Sequence, residues 1–237
     1  MTLPSCLTER SFRSHDAANQ ALAKTVARRL HVAVEQRGQA GMIVPGGQSP
    51  RGFFKFLCQY DLPWSKIIIT LTDERMVSPE NNESNLNQLR ELLLQGPARA
   101  ARVIPLVEAV CDPHTASAQA CERLQGFPWP ADVTLVGFGQ EGHIASLFPG
   151  NRQLSQPPCG NRCIATRSPE APRARISLTP QSLLDSRWVG IMIPNAAKHS
   201  RFENAKAEGC PCELPLRTLL HQDHVPVTAW ISTQEAA

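Results

Sequence analysis

The first ten residues contain no apolar run able to serve as a signal peptide, and no later stretch approaches membrane-spanning length. A soluble, cytoplasmic protein without membrane contact is therefore expected. A marked excess of one charge sign is also missing. With 24 basic and 21 acidic side chains the formal net charge is only +3, too balanced for a nucleic-acid-binding protein, whose basic residues would line one stripe. A small anion is the more reasonable partner. The chain has no internal repeat, no low-complexity tract and no linker that would mark a boundary. Residues 1–237 are expected to fold as a single domain, because 42% hydrophobic content suffices for a full core.

Metal and redox signatures are missing too. Eight cysteines are present, but the two close pairs, Cys159 with Cys163 and Cys210 with Cys212, lack C-x-x-C spacing and a nearby histidine cluster. No metal site follows, and free thiols are expected in a reducing compartment. H-E-x-x-H and G-x-x-x-x-G-K-[ST] do not occur. The nearest approach to G-x-S-x-G, Gly47-Gln48-Ser49-Pro50-Arg51, ends in arginine. A zinc protease, a P-loop kinase and a covalent serine hydrolase are all disfavoured.

What is present alternates between two periodicities. Residues 17–37 place Ala18, Leu22, Val26, Leu30 and Ala33 at helical intervals, with Arg28, Arg29 and Arg37 largely on other faces. A short apolar run at 41–45 reads as a strand, and Phe53, Phe54, Phe56 and Leu57 suggest a helix beyond the next turn. Residues 66–72 are β-branched without alternation, as in a strand buried on both faces. Helices are predicted at 83–95 and 114–124, and strands at 103–107, 132–138, 163–167, 175–178, 188–193 and 227–231. Further helices centre on Leu183, Phe202 and Leu216. This alternation predicts an α/β fold with a mostly parallel sheet covered by helices.

In open α/β sheets ligands bind beyond the carboxyl ends of the strands, so the loops after Val44, Thr72 and Phe138 carry the functional expectation. The first, Gly46-Gly47-Gln48-Ser49-Pro50, would let backbone N–H groups face an anion, or it is simply a tight turn. In the second, Thr72-Asp73-Glu74-Arg75, the arginine could grip phosphate while Asp73 orients it or holds a sugar hydroxyl. A surface salt-bridge cluster is the plainer alternative. The third spells G-x-G-x-x-G with Gly137, Gly139 and Gly142. A dinucleotide site would need a long helix after the last glycine, and Pro149-Gly150 leaves no room for one. What remains is a turn over residues 136–150 presenting Glu141 and His143. The imidazole can take a proton from water near neutral pH.

Taken together, Gly46 to Pro50, Thr72 to Val77 with Ser84-Asn85, Gly137 to Gly150, and Arg175-Ile176-Ser177-Leu178-Thr179 resemble the 6-phosphogluconolactonase family and run through most of the chain. That family lies in a larger group with the glucosamine-6-phosphate deaminases. The resemblance implies a Rossmann-like three-layer αβα sandwich. It also implies hydrolysis of 6-phosphoglucono-δ-lactone to 6-phosphogluconate in the oxidative pentose phosphate pathway, without metal or organic cofactor. By position, His143 is the general base, with Glu141 and Asp73 as its expected catalytic companions. The small-molecule sugar-phosphate lactone would be held by Gly46, Gly47, Gln48 and Ser49 together with Arg75 and Arg175. Lys198 matches a lysine that the family places near the site, and Asn85 and Ser146 are further ligand candidates.

Two positions depart from the pattern. Glu141 stands where the family usually has aspartate, and Asn195 stands where glycine is usual, three residues before Lys198. Asparagine tolerates the left-handed backbone that glycine would allow. One alternative is an amino-sugar-phosphate isomerase or deaminase on the same fold. Such proteins usually carry Asp-Glu-Tyr at Asp73-Glu74-Arg75 and Asn-Glu-Pro near Ser146-Leu147-Phe148-Pro149. Another is a non-catalytic sugar-phosphate sensor, which would have no reason to keep His143 beside intact glycines.

Overall fold

The computed structural model describes residues 6–150, 154 and 160–232. The Pro-rich stretch at 156–158 and Cys159 lie outside them. Among the described residues, ten strands divide between two sheets. Strands β1 (Leu7–Phe12), β2 (Ala40–Val44), β3 (Ile67–Leu71), β5 (Arg102–Val103), β6 (Val133–Val136), β9 (Val189–Ile193) and β10 (Val227–Ser232) form a parallel sheet in the order β1-β10-β9-β6-β2-β3-β5. Strands β4 (Asp73–Arg75), β7 (Cys163–Arg167) and β8 (Ala174–Leu178) form a second, antiparallel sheet in the order β4-β8-β7. Helices α1 (His15–Arg37), α2 (Arg51–Leu57), α3 (Asn85–Leu92), α4 (Pro113–Arg123), α5 (Pro180–Leu184), α6 (Ala196–Lys206) and α7 (Arg217–Leu220) complete the set, and helices cover both faces of the large sheet.

The apolar runs behave as their composition requires. Every residue of β2, β3, β6 and β9 is buried, and each isoleucine removed from water in β3 contributes roughly 1.5–3 kcal/mol. Along α1 the predicted stripe is buried in full, from Ala18 to Ala33. The Ser14 hydroxyl accepts the Ala17 N–H at its start, and Gly38 ends it in the left-handed region with φ 76°.

Four expectations need correction. Thr72 to Arg75 is not a simple loop, because Asp73, Glu74 and Arg75 pair antiparallel with Ser177, Ile176 and Arg175. The strand predicted at 103–107 stops at Val103, since Pro105 cannot donate to a ladder. The helix centred on Leu216 is instead a short turn of helix that Leu216 only precedes. Finally, Cys210 and Cys212 are joined as a disulfide rather than left as free thiols. A turn brings their Cα atoms to 5.2 Å, a separation that disulfides span. Strand β1 is an addition that the sequence did not suggest.

The strand order also locates the site. From β2 the chain builds outward to β3 and β5 on one side, then returns to lay β6, β9 and β10 on the other. Connections therefore part in opposite directions between β2 and β6, opening a crevice at their carboxyl ends.

Candidate active site

The crevice is a cleft of about 200 Å³ lined by Gly46, Gly47, Gln48, Ser49, Asp73, Arg75, Asn85, His143 and Lys198, among others. Loops following β2, β3, β6 and β9 all reach it. Three residues expected at the site do not line it: Glu141, Ser146 and Arg175 stand behind residues that do.

The loop after β6 folds back on itself without starting a helix. Gly139 N–H donates to the His143 carbonyl at 3.0 Å, and Gly142 N–H donates to the Gly139 carbonyl at 3.0 Å. The glycines make room. A Cβ on Gly139 would lie 2.3 Å from the His143 ring and 2.6 Å from the Glu141 carboxylate. One on Gly142, already at φ 87°, would lie 2.0 Å from Leu214. The imidazole thus rests over backbone and packs against Phe148, with ring centroids 4.6 Å apart. His143 Nδ1 lies 2.8 Å from Glu141 Oε1. Burial works against ionisation of Glu141, but hydrogen bonds from its own N–H and from His143 prevail and hold its carboxyl below the usual range. Two residues on, Ala145 sits in the left-handed region with φ 49°. That turn costs roughly 1 kcal/mol for a residue with a Cβ. It separates His143, facing the cleft, from Ser146, which is buried beneath it.

The opposite wall is built from buried polar groups. Ser146 Oγ donates to Asp73 Oδ2 at 2.6 Å and Thr72 Oγ1 donates to Asp73 Oδ1 at 2.9 Å, so both carboxylate oxygens are engaged by hydroxyls. Glu74, only 2% exposed, accepts the N–H groups of Arg75, Asn85 and Leu86 and the hydroxyl of Ser84. It therefore caps the amino end of α3. Burial raises its pKa, and these four donors oppose the rise. Asn85 donates from Nδ2 to the Asp73 carbonyl at 2.9 Å and fills the space that a side chain at Gly46 would occupy.

Arg75 and Arg175 are directly opposed across β4 and β8. Arg75 donates to the Glu83 carbonyl, with the Glu83 carboxylate 3.7 Å away. Arg175 is 7% exposed, and its buried Nε has no hydrogen-bond partner among the described residues. Burial, then the neighbouring Arg75, lowers its pKa, while Asp73 and Glu74 pull the other way. Like charges directly opposed on a sheet are destabilising unless something negative joins them.

Lys198 closes the cleft from α6. Its Nζ donates to Ser49 Oγ at 3.1 Å and lies 5.4 Å from the Phe138 ring centroid. Burial lowers its pKa, partly offset by Glu141. Asn195 does not use its tolerance of left-handed angles. Its backbone is extended, and its side chain accepts the Lys198 N–H at 3.0 Å as the cap of α6. Helix capping, not backbone freedom, is what the position requires here.

Sequence reasoning missed three supports. Gln88 clamps the first loop, donating to the Gly47 carbonyl at 2.6 Å and accepting its N–H at 2.8 Å. The Gly47 N–H is consequently turned to α3 and not toward an anion. Glu74 drew notice only as part of a polar cluster. Arg201 donates to the Gln140 carbonyl at 2.8 Å, while the turn at 210–216 ties to Gly142 and Gly150. A polar Gln one helical turn inside α3 was the only available signal, and it is a weak one.

A family model described as glucosamine-6-phosphate isomerases/6-phosphogluconolactonase matches residues 13–230. A 6-phosphogluconolactonase of Rhizobium meliloti strain 1021 is 36% identical over 219 residues, covering 91% of this chain and 94% of that protein. One from Pseudomonas aeruginosa is 36% identical over 210 residues, covering 86% and 88%. The crystal structure of a 6-phosphogluconolactonase from Shewanella baltica OS155 superposes with a TM-score of 0.92 at 31% identity, covering 98% of this chain and 100% of that one.

Proposed function

The chain belongs to the family of glucosamine-6-phosphate isomerases and 6-phosphogluconolactonases, and from that membership we propose that it hydrolyses 6-phosphoglucono-δ-lactone to 6-phosphogluconate, with His143 as the general base. The observation that carries this reading is the His143–Glu141 contact of 2.8 Å at the rim of a cleft whose far wall opposes two arginines. A carboxylate on Nδ1 favours the tautomer with its proton there, which leaves Nε2 free to accept one.

The strand order sets the two ends apart. Loops rooted on β3 and β9 are separated by three strand spacings, roughly 14 Å. Arg75, with Arg175 behind it, takes the phosphate at one end. His143 and Lys198 meet the lactone carbonyl at the other. Asp73, held by Ser146 and Thr72, is placed to accept a sugar hydroxyl, and the cleft draws on both sheets, so the chain works as one unit.

In the reaction, water adds to the lactone carbonyl carbon while its proton passes to His143 Nε2. Glu141 steadies the resulting imidazolium. The negative charge that develops on the carbonyl oxygen falls near the Lys198 ammonium, a fixed donor in a partly dry site. Collapse of the tetrahedral intermediate breaks the bond to the ring oxygen, which takes the proton back from His143. The carboxylic acid formed gives up its proton to solvent, so the products are a carboxylate and a free hydroxyl. Because a lactone is an activated ester, no covalent nucleophile is needed, and general-base assistance of about 10²- to 10⁴-fold is in the usual range.

The test is hydrolysis of freshly made 6-phosphogluconolactone by purified protein, corrected for the spontaneous reaction. His143→Ala should lower kcat at least ~100-fold with little change in KM. Arg75→Ala should chiefly raise KM. Lactone turnover by His143→Ala at the wild-type rate would sink the base assignment, and ammonia release from glucosamine 6-phosphate without lactone hydrolysis would sink the reaction.

A further inference from the structure

We infer that the chain carries a second anion site, a groove of about 440 Å³ at the amino-terminal edge of the large sheet, which takes a small molecule bearing two or more phosphate or carboxylate groups on a short carbon skeleton. Arg28, Arg29, Val32 and Arg37 of α1 form one wall. Asp132 and Arg187, in the turns that lead into β6 and β9, form the other. The cleft with His143 lies at the opposite, carboxyl ends of these strands. The four residues of β6 alone span roughly 13 Å, so one small ligand does not occupy both places.

Charge is concentrated in this groove. Four guanidinium groups against one carboxylate leave +3, and the whole chain also sums to +3. The rest of the protein is therefore neutral on balance. Asp132 serves only part of the cluster. It hydrogen-bonds Arg37, lies 3.4 Å from Arg187 Nε, and accepts the Gly41 N–H at 2.9 Å. Arg28 and Arg29 have no carboxylate partner among the described residues. Like charges gathered without a counter-charge are unfavourable, and a bound polyanion would relieve them.

Arg29 is also held in one orientation. The Arg29 guanidinium stacks 4.6 Å over the Trp188 ring, and its buried Nε has no hydrogen-bond partner among the described residues. Stacking fixes the fork that phosphate and carboxylate groups accept in bidentate fashion. Burial and the adjacent Arg28 lower its pKa, which is consistent with a cation awaiting an anion. From Arg28 to Arg37 the helix extends roughly 14 Å, more than a single phosphate can bridge. Val32 stands between them 39% exposed, one of only two large hydrophobic side chains so exposed among the described residues. It offers a floor for carbon between anionic ends.

Calorimetric titration of the full chain with orthophosphate, pyrophosphate and tripolyphosphate tests the site. Tripolyphosphate should bind at least ~10-fold more tightly than orthophosphate, and binding should survive Arg75→Ala, which weakens the phosphate grip of the catalytic cleft. Arg28→Glu with Arg187→Glu should remove it, while Arg90→Glu with Arg99→Glu, an equal charge change on exposed arginines elsewhere, should not. Lactone turnover should be unchanged in the groove variant, with its fold checked by circular dichroism. Single Arg28→Gln, which spares the Asp132 contacts, should weaken binding in the same direction. Equal affinity for all three anions, equal loss in the control pair, or loss through Arg75→Ala would each overturn the assignment.

Discussion

The two walls of the cleft are held in place by opposite means. Around His143 the structure relies on atoms that are absent. Gly139 and Gly142 leave room for the imidazole, Glu141 and Leu214, and His143 and Glu141 remain partly open to solvent. Around Asp73 and Arg75 it relies on buried polar groups satisfied almost completely by one another, with Glu74 accepting four hydrogen bonds, one from Arg75 and three from the consecutive residues Ser84, Asn85 and Leu86. The wall proposed to move protons is left adjustable at its surface. The wall proposed to recognise a fixed anion is cross-linked into the core.

This contrast can be broken experimentally. The largest effect should come from Glu74→Ala, which strands buried N–H groups on α3 and β4 and should lower the unfolding free energy by roughly 3 kcal/mol. Denaturant unfolding would measure that loss, and KM should rise because Arg75 loses its anchor. Next is Gly139→Ala. The added methyl displaces His143 and Glu141, so kcat should fall by about 100-fold, yet the melting temperature should hardly move because both side chains yield toward solvent. If Gly139→Ala instead destabilised the protein as much as Glu74→Ala, the distinction between the walls would fail. The smallest effect belongs to Asn195→Ala. Loss of the α6 cap should cost about 1 kcal/mol and lower kcat only slightly through Lys198, a result that urea melts and steady-state kinetics would separate.

How legible each wall was follows from the same contrast. Strands β2, β3 and β9 declared themselves as apolar runs, and the glycines around His143 stood out because composition alone marks them. Asp73 to Arg75 read as a loop since three charged residues in a row carry no strand signal. Their strand character exists only through pairing with β8, so the meeting of Arg75 with Arg175 depends on a register that no local pattern encodes. Glu74 and Gln88 were opaque for a related reason. Their partners are backbone groups from other segments, and a side chain that serves backbone leaves no complementary residue to notice. Asn195 shows that a correctly noticed substitution can still act through a different mechanism, here a cap in place of a left-handed turn.

Strand β1 has a consequence that concerns neither wall. Its six residues are all exposed or half-buried, yet it pairs along its full length with β10, whose residues are mostly buried. It is a polar guard on an apolar edge. A chain cut after Phe12 would keep every residue of the cleft and of the basic groove while presenting the open ladder of Val227–Ser232 to solvent. Such an edge invites strand addition from a second molecule, so the damage should surface as self-association on the bench, with the remaining soluble fraction still fully active.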